Sequence, residues 1–93
     1  MVIGVVTVSI SIPDSQSLKD KRRVIKSVKD RIRGRINVSA AEVGAQDKWQ
    51  LSELAFVTVA ANAEIVQSRI SDISSFVRSD PRYILLDLHT EMI

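Results

Sequence analysis

The chain has 93 residues, enough for one domain and too few for a second independent core. Hydrophobic residues make up 45% and charged residues 26%, ordinary values for a globular protein, which excludes a disordered chain. There is no cysteine, which removes disulfides, thiolate nucleophiles, zinc ribbons and iron–sulfur clusters, and the net charge is only +2.

Val2 to Ile12 (VIGVVTVSISI) is dense in β-branched residues and stops at the turn signal Pro13-Asp14, which predicts a strand. Its near-continuous apolar character suits a central position. This opening lacks the basic flank and cleavage site of a signal peptide, and no segment approaches the roughly 20 apolar residues of a membrane span. A cytoplasmic protein with no membrane partner is the expectation.

Ser17 stands where its hydroxyl can accept a first-turn N–H, with Asp20 three residues on, a capping box with Asp in place of Glu. Apolar residues at Leu18, Ile25, Val28 and Ile32 then follow at helical spacing, which predicts a helix over 18–34. Ile36 to Val43 and Gln50 to Ala61 read as two strands joined through the polar stretch Gly44 to Lys48, a hairpin. Asn62 caps a second helix with the stripe Val66, Ile70, Ile73 and Val77, which ends before Asp80-Pro81. Arg82 to Met92 is the last strand.

Strand, helix, strand, strand, helix, strand with right-handed connections gives an α+β ferredoxin-like βαββαβ sandwich spanning 1–93. Its four-stranded antiparallel sheet has the order 4-1-3-2, with two helices on one face.

Charge is unevenly placed. Leu18 to Ile36 holds nine basic and two acidic residues, whereas the rest holds four basic and nine acidic ones. Lys19, Arg22, Arg23, Lys26, Lys29 and Arg33 fall within an arc of about 120° opposite the apolar stripe, interrupted only by Asp30. Like charges at i, i+4 cost roughly 0.2–0.5 kcal/mol per pair, so a helix selected for stability alone would mix signs. These six are the candidate nucleic-acid-binding residues, on the logic that clustered cations make an electrostatic footprint for phosphate. A solvated face, or a surface for an acidic protein, is the competing explanation.

Sheet-based reading of RNA needs aromatics on the first and third strands, and the first has none; a GXXG loop is also missing. Lys21 projects into the apolar stripe, either snorkelling to water or making an ion pair or anion contact near the sheet's end. Trp49, beside Asp47 and Lys48, is either a lid over the core's edge or a stacking surface. Asp87, His89 and Glu91 share one face of the last strand and are expected to be solvated. Were Ile3, Val5, Tyr83 and Leu85 together on the open sheet face, they would form an apolar patch suited to a homodimer. No triad, metal set or phosphate loop is present, so no catalytic or metal-binding residue and no cofactor is expected.

The stretch SLKDKRRVIKSVKDRIRGRINVSAAEVGAQDKWQ resembles the YlxP-like family of small bacterial proteins, a domain of unknown function. The resemblance rests on Ser17, Leu18, Lys19, Lys21 and Arg22 at the helix start, Asn37-Val38-Ser39, and Ala41-Glu42-Val43-Gly44 with Gln46, Asp47 and Trp49. It implies a ferredoxin-like fold and a gene neighbourhood of translation-initiation and ribosome-maturation factors, and hence an RNA or ribosome connection. It implies no catalytic residue.

Overall fold

Two capping side chains set where the helices begin. Ser17 Oγ accepts from the Asp20 N–H (3.0 Å) and Asn62 Oδ1 from the Ile65 N–H (3.0 Å), so each satisfies a first-turn donor that has no partner within the helix. In the first cap, Asp20 Oδ2 returns to the Gln16 N–H (3.0 Å), one residue before the Ser17 N–H that a capping box uses. The computed structural model describes residues 1–93 in the order β1 (Val2–Ser11), α1 (Leu18–Arg33), β2 (Ser39–Gly44), β3 (Leu51–Ala60), α2 (Ala63–Arg78) and β4 (Ile84–Met92).

All strand pairs are antiparallel and the sheet order is β2-β3-β1-β4, the expected 4-1-3-2 counted from the other edge. The two most apolar strands, β1 and β3, pair along their whole length at the centre. Along β1, Val6, Val8 and Ile10 are buried while Ile3, Val5, Thr7, Ser9 and Ser11 are only half-buried, so the even positions face the helices. Leu54 and Phe56 of β3, Ile25, Val28 and Ile32 of α1, and Ile73 and Val77 of α2 complete the core. Gly4 lets α2 approach β1: a Cβ there would stand 2.5 Å from Val66 Cγ1 and 3.0 Å from Ile70 Cδ1.

β2 begins three residues later than expected. Ile36 N–H donates to the Ile32 carbonyl (2.8 Å), prolonging the helix's pattern, and the Asn37 carbonyl accepts from the Thr58 hydroxyl (2.8 Å). Those two groups are therefore taken before a ladder can use them.

The largest departure is in β4. The β1 register moves from Ser9↔Asp87 to Ile10↔Leu85, so Leu86 is an extra residue, a β-bulge. Strict alternation puts Tyr83 and Leu85 on the face of Asp87; the bulge turns them over. Tyr83 is 7% exposed with its hydroxyl donating to the Val77 carbonyl (2.6 Å), and Leu85 packs against the core. The patch of Ile3, Val5, Tyr83 and Leu85 therefore does not exist as such. The open sheet face instead carries Ile3 and Val5 with their cross-strand partners Val59 and Val57, which are 50% and 38% exposed.

Candidate nucleic-acid interface

The nine cations of the 18–35 segment separate into groups by what each one touches. Lys21, fully buried, lies on the inner side of α1 with Ile25, Val28 and Ile32. Its ammonium donates to the carbonyls of Ala45 (2.8 Å), Gln46 (3.3 Å) and Leu51 (3.2 Å) and pairs with Glu42 Oε2 at 3.0 Å. Glu42 Oε2 also accepts from Ser52 Oγ (2.6 Å). A buried charge survives only when its donors are used, and here they are. Snorkelling is thus not what Lys21 does; it forms the ion pair at the sheet's end.

The same ammonium holds both ends of the β2–β3 connection, Ala45 and Gln46 on one side and Leu51 on the other. Ala45 has φ 57°, the left-handed region that a non-glycine residue enters only under local constraint, and its carbonyl also accepts from the Lys48 N–H (3.0 Å). Asp47, Lys48 and Trp49 sit on this pinned loop and are exposed, Trp49 by 57%. Trp49 is therefore no lid; its ring borders a shallow cleft of about 530 Å³ with Ser11, Lys48, Gln50 and Leu51.

Two of the six outward cations have partners. Lys26 forms an ion pair with Asp30, and with Arg33 and Lys29 nearby this hydrogen bond holds the Asp30 carboxyl below the usual carboxylate range. Arg33 donates to the Ala40 carbonyl of β2 (2.6 Å) and lies 3.7 Å from Asp30. Lys19, Arg22, Arg23 and Lys29 make no ion pair, and all but the half-buried Lys29 are exposed. Arg22, Lys26, Lys29 and Arg33 line a cleft of about 340 Å³ beside β2, into which Asp30 and Glu42 also project.

Arg31 and Arg35 were outside the predicted arc, and the structure accounts for both. Their guanidinium carbons lie 4.9 and 5.3 Å from the Phe76 ring centroid, and Arg31 is 3.8 Å from Asp80. Asp80 is buried and accepts a two-pronged contact from Arg82 (2.6 and 3.0 Å), which holds its carboxyl below the usual range. Phe76, flanking rather than joining the stripe of α2, was the one signal that could have found this second cluster. On the sheet's open side, Asp87, His89 and Glu91 are exposed opposite Ser9, Thr7 and Val5.

The residues meeting at the buried ammonium, Lys21, Glu42, Gln46 and the turn after Gly44, are among those that carry the family resemblance. A family model described as "Protein of unknown function (DUF503)" matches residues 3–90. The chain belongs to the DUF503 family. This DUF503 chain is 32% identical over 79 residues to the "Uncharacterized protein YlxP" of Bacillus subtilis (strain 168), covering 85% of the chain and 86% of that relative. Among solved structures, an EAL/GGDEF domain protein from M. capsulatus is similar over 96% of this chain and 62% of its own length, at 14% identity and a TM-score of 0.47. In the DUF503 chain the buried lysine anchors the hairpin loop, while four neighbouring cations make no ion pair.

Proposed function

We propose that the protein is a non-enzymatic RNA- or ribosome-associated module that docks the outer face of α1 on phosphate. The observation that carries this is the set Lys19, Arg22, Arg23 and Lys29, four cations without an ion pair on a helix attached to an otherwise acidic body. Lys26 and Arg82 pair with carboxylates, whereas these four do not. Phosphate contacts fix position and carry no sequence information, so recognition here is of backbone and shape. Lys48 and Trp49, on the loop that Lys21 anchors, add one further charge and one stacking surface.

The test is binding to single-stranded RNA and to ribosomes across a salt series. Four phosphate contacts give a slope of about −2.8 and an affinity loss of about 50-fold between 50 and 200 mM salt. Changing Arg22→Gln and Arg23→Gln together should halve the slope, leaving a loss of about sevenfold. Binding that ignores both salt and these substitutions would refute the proposal.

A second reading, an interaction module pairing through its open sheet face, is favoured by the exposed Val57 and Val59 beside Ile3 and Val5. Val59→Asp should abolish such an association and leave RNA binding unchanged.

A further inference from the structure

The two edges of the sheet are finished differently. Ile3 and Ile93 exchange both backbone hydrogen bonds (3.0 and 2.8 Å), and by the alternation of an antiparallel ladder Glu91, His89 and Asp87 also direct their N–H and C=O groups toward β1. Leu88, Thr90 and Met92 then direct theirs away from the sheet. At the opposite edge the Ile12 N–H donates to the Gln50 carbonyl (2.8 Å), which carries the same alternation across β3 and leaves Ala40 and Glu42 of β2 pointing outward. Both of those carbonyls are occupied: Arg33 donates to Ala40 (2.6 Å) and Gln46 Nε2 to Glu42 (3.3 Å). β2 is a capped edge, whereas Leu88, Thr90 and Met92 receive no such side chain.

We propose that the chain forms a two-fold symmetric dimer by antiparallel pairing of β4 with the β4 of a second copy, in a register centred on Thr90. The bulge at Leu86 limits regular pairing to the residues beyond it. Within that stretch, the centre on Thr90 opposes outward-pointing residues to outward-pointing residues, Leu88 to Met92 of the partner subunit and Thr90 to Thr90 of the partner subunit. It also sets His89 against Glu91 of the partner subunit on the open face, in both directions by symmetry. Shifting the centre to His89 keeps the hydrogen-bond parity but opposes Asp87 to Glu91 of the partner subunit, two carboxylates across a strand pair, which is unfavourable. A centre on Glu91 likewise sets Glu91 against Glu91 of the partner subunit, so charge favours the Thr90 register over both neighbours. The pairing would form about six backbone hydrogen bonds, two for each hydrogen-bonded pair, and would join two four-stranded sheets into one with all helices on the same side. It is independent of phosphate docking.

The experiment is sedimentation equilibrium of the full chain up to about 1 mM, where an association of about −4 kcal/mol is half complete, with far-UV circular dichroism as the folding control. A wild type that stays monomeric there overturns the proposal. Thr90→Pro removes one outward N–H and no bond to β1, a substitution an edge strand tolerates; it should weaken dimerisation at least about tenfold while the fold persists. A folded Thr90→Pro protein that dimerises like the wild type overturns edge pairing. Should Thr90→Pro not fold, the charge pair decides. Glu91→Lys faces a Lys toward His89 of the partner subunit and should weaken association, and adding His89→Glu should restore it; failure of the double change to restore it refutes the register. Val59→Asp should leave the dimer intact, and loss of the dimer there, with Thr90→Pro unaffected, would assign association to the sheet face instead.

Discussion

Replacing Lys21 with Met removes a single ammonium and leaves its methylene packing nearly unchanged, so the effect isolates the charge. Four acceptors lose one donor: the carbonyls of Ala45, which keeps the Lys48 N–H, Gln46 and Leu51, and Glu42 Oε2, which keeps the Ser52 hydroxyl. Breaking one side of a buried pair costs about 3–5 kcal/mol, because the remaining charge is left uncompensated. The lower half of that range applies, since the Glu42 side chain retains 18% of its surface and water can reach it. For a small domain losing about 2 kcal/mol per molar urea, a loss of 3–4 kcal/mol moves the urea midpoint down by about 1.5–2 M. Equilibrium unfolding followed by circular dichroism and by Trp49 fluorescence measures this. Lys19→Met, on the exposed side of the same helix, is the control and should change stability by no more than about 0.5 kcal/mol. Adding Glu42→Gln to Lys21→Met should recover part of the loss by removing the orphaned charge. A shift below about 0.5 M for Lys21→Met would mean that the clamp does not hold the hairpin, and the account of the loop would fall with it.

Tyr83 is the only tyrosine, and burial pushes its phenol up to about 12 from the usual 10, so spectrophotometric titration should show phenolate only at that higher pH. Because the folded value is raised, the stabilisation is complete below pH 10 and is lost as pH rises toward 12; the stability difference between wild type and Tyr83→Phe, which loses the hydroxyl's bond to Val77, should therefore shift in favour of Phe across that range. Asp80 has the opposite sign: its folded value is depressed, so its contribution is present above the usual 3.8 and is lost as pH falls through the lower folded value. The stability gap between wild type and Asp80→Asn should therefore be largest near neutrality and close in strong acid, as read from urea midpoints at both extremes. Gly4→Ala should cost about 1–3 kcal/mol, because its methyl meets the packed Val66 and Ile70. Gly44→Ala meets the Glu53 carboxylate, which can swing away, and the Glu53 Cβ at 3.2 Å, so it should cost less than Gly4→Ala in the same urea titration.

Local chemistry made most of the fold legible. The helices start at the caps that Ser17 and Asn62 announced, and α1, β3 and α2 lie within a residue or two of the boundaries their periodicity gave. What escaped was set by partners distant in sequence. Nothing within residues 82–92 marks Leu86 as the bulged position; it follows from the core taking both Leu85 and Leu88, which strict alternation would put on opposite faces. The six-residue basic arc was visible as a pattern, but which of its members are free depends on Asp30 and on the Ala40 carbonyl, and only geometry distinguishes Arg23 from Arg33. Lys21 was marked as misplaced in the apolar stripe, and its acceptors, 21 to 30 residues away, could not be named from spacing.

The side chains of Arg33 and Gln46 on the outward carbonyls of β2 have a consequence for stoichiometry. A sheet with two receptive edges can add copies at both ends and has no natural stopping point. With the outward β2 carbonyls occupied and β4 receptive, the proposed strand-by-strand pairing would stop once β4 is used, giving a pair rather than a fibre. Two side-chain hydrogen bonds would thereby act as a chain terminator for the proposed pairing.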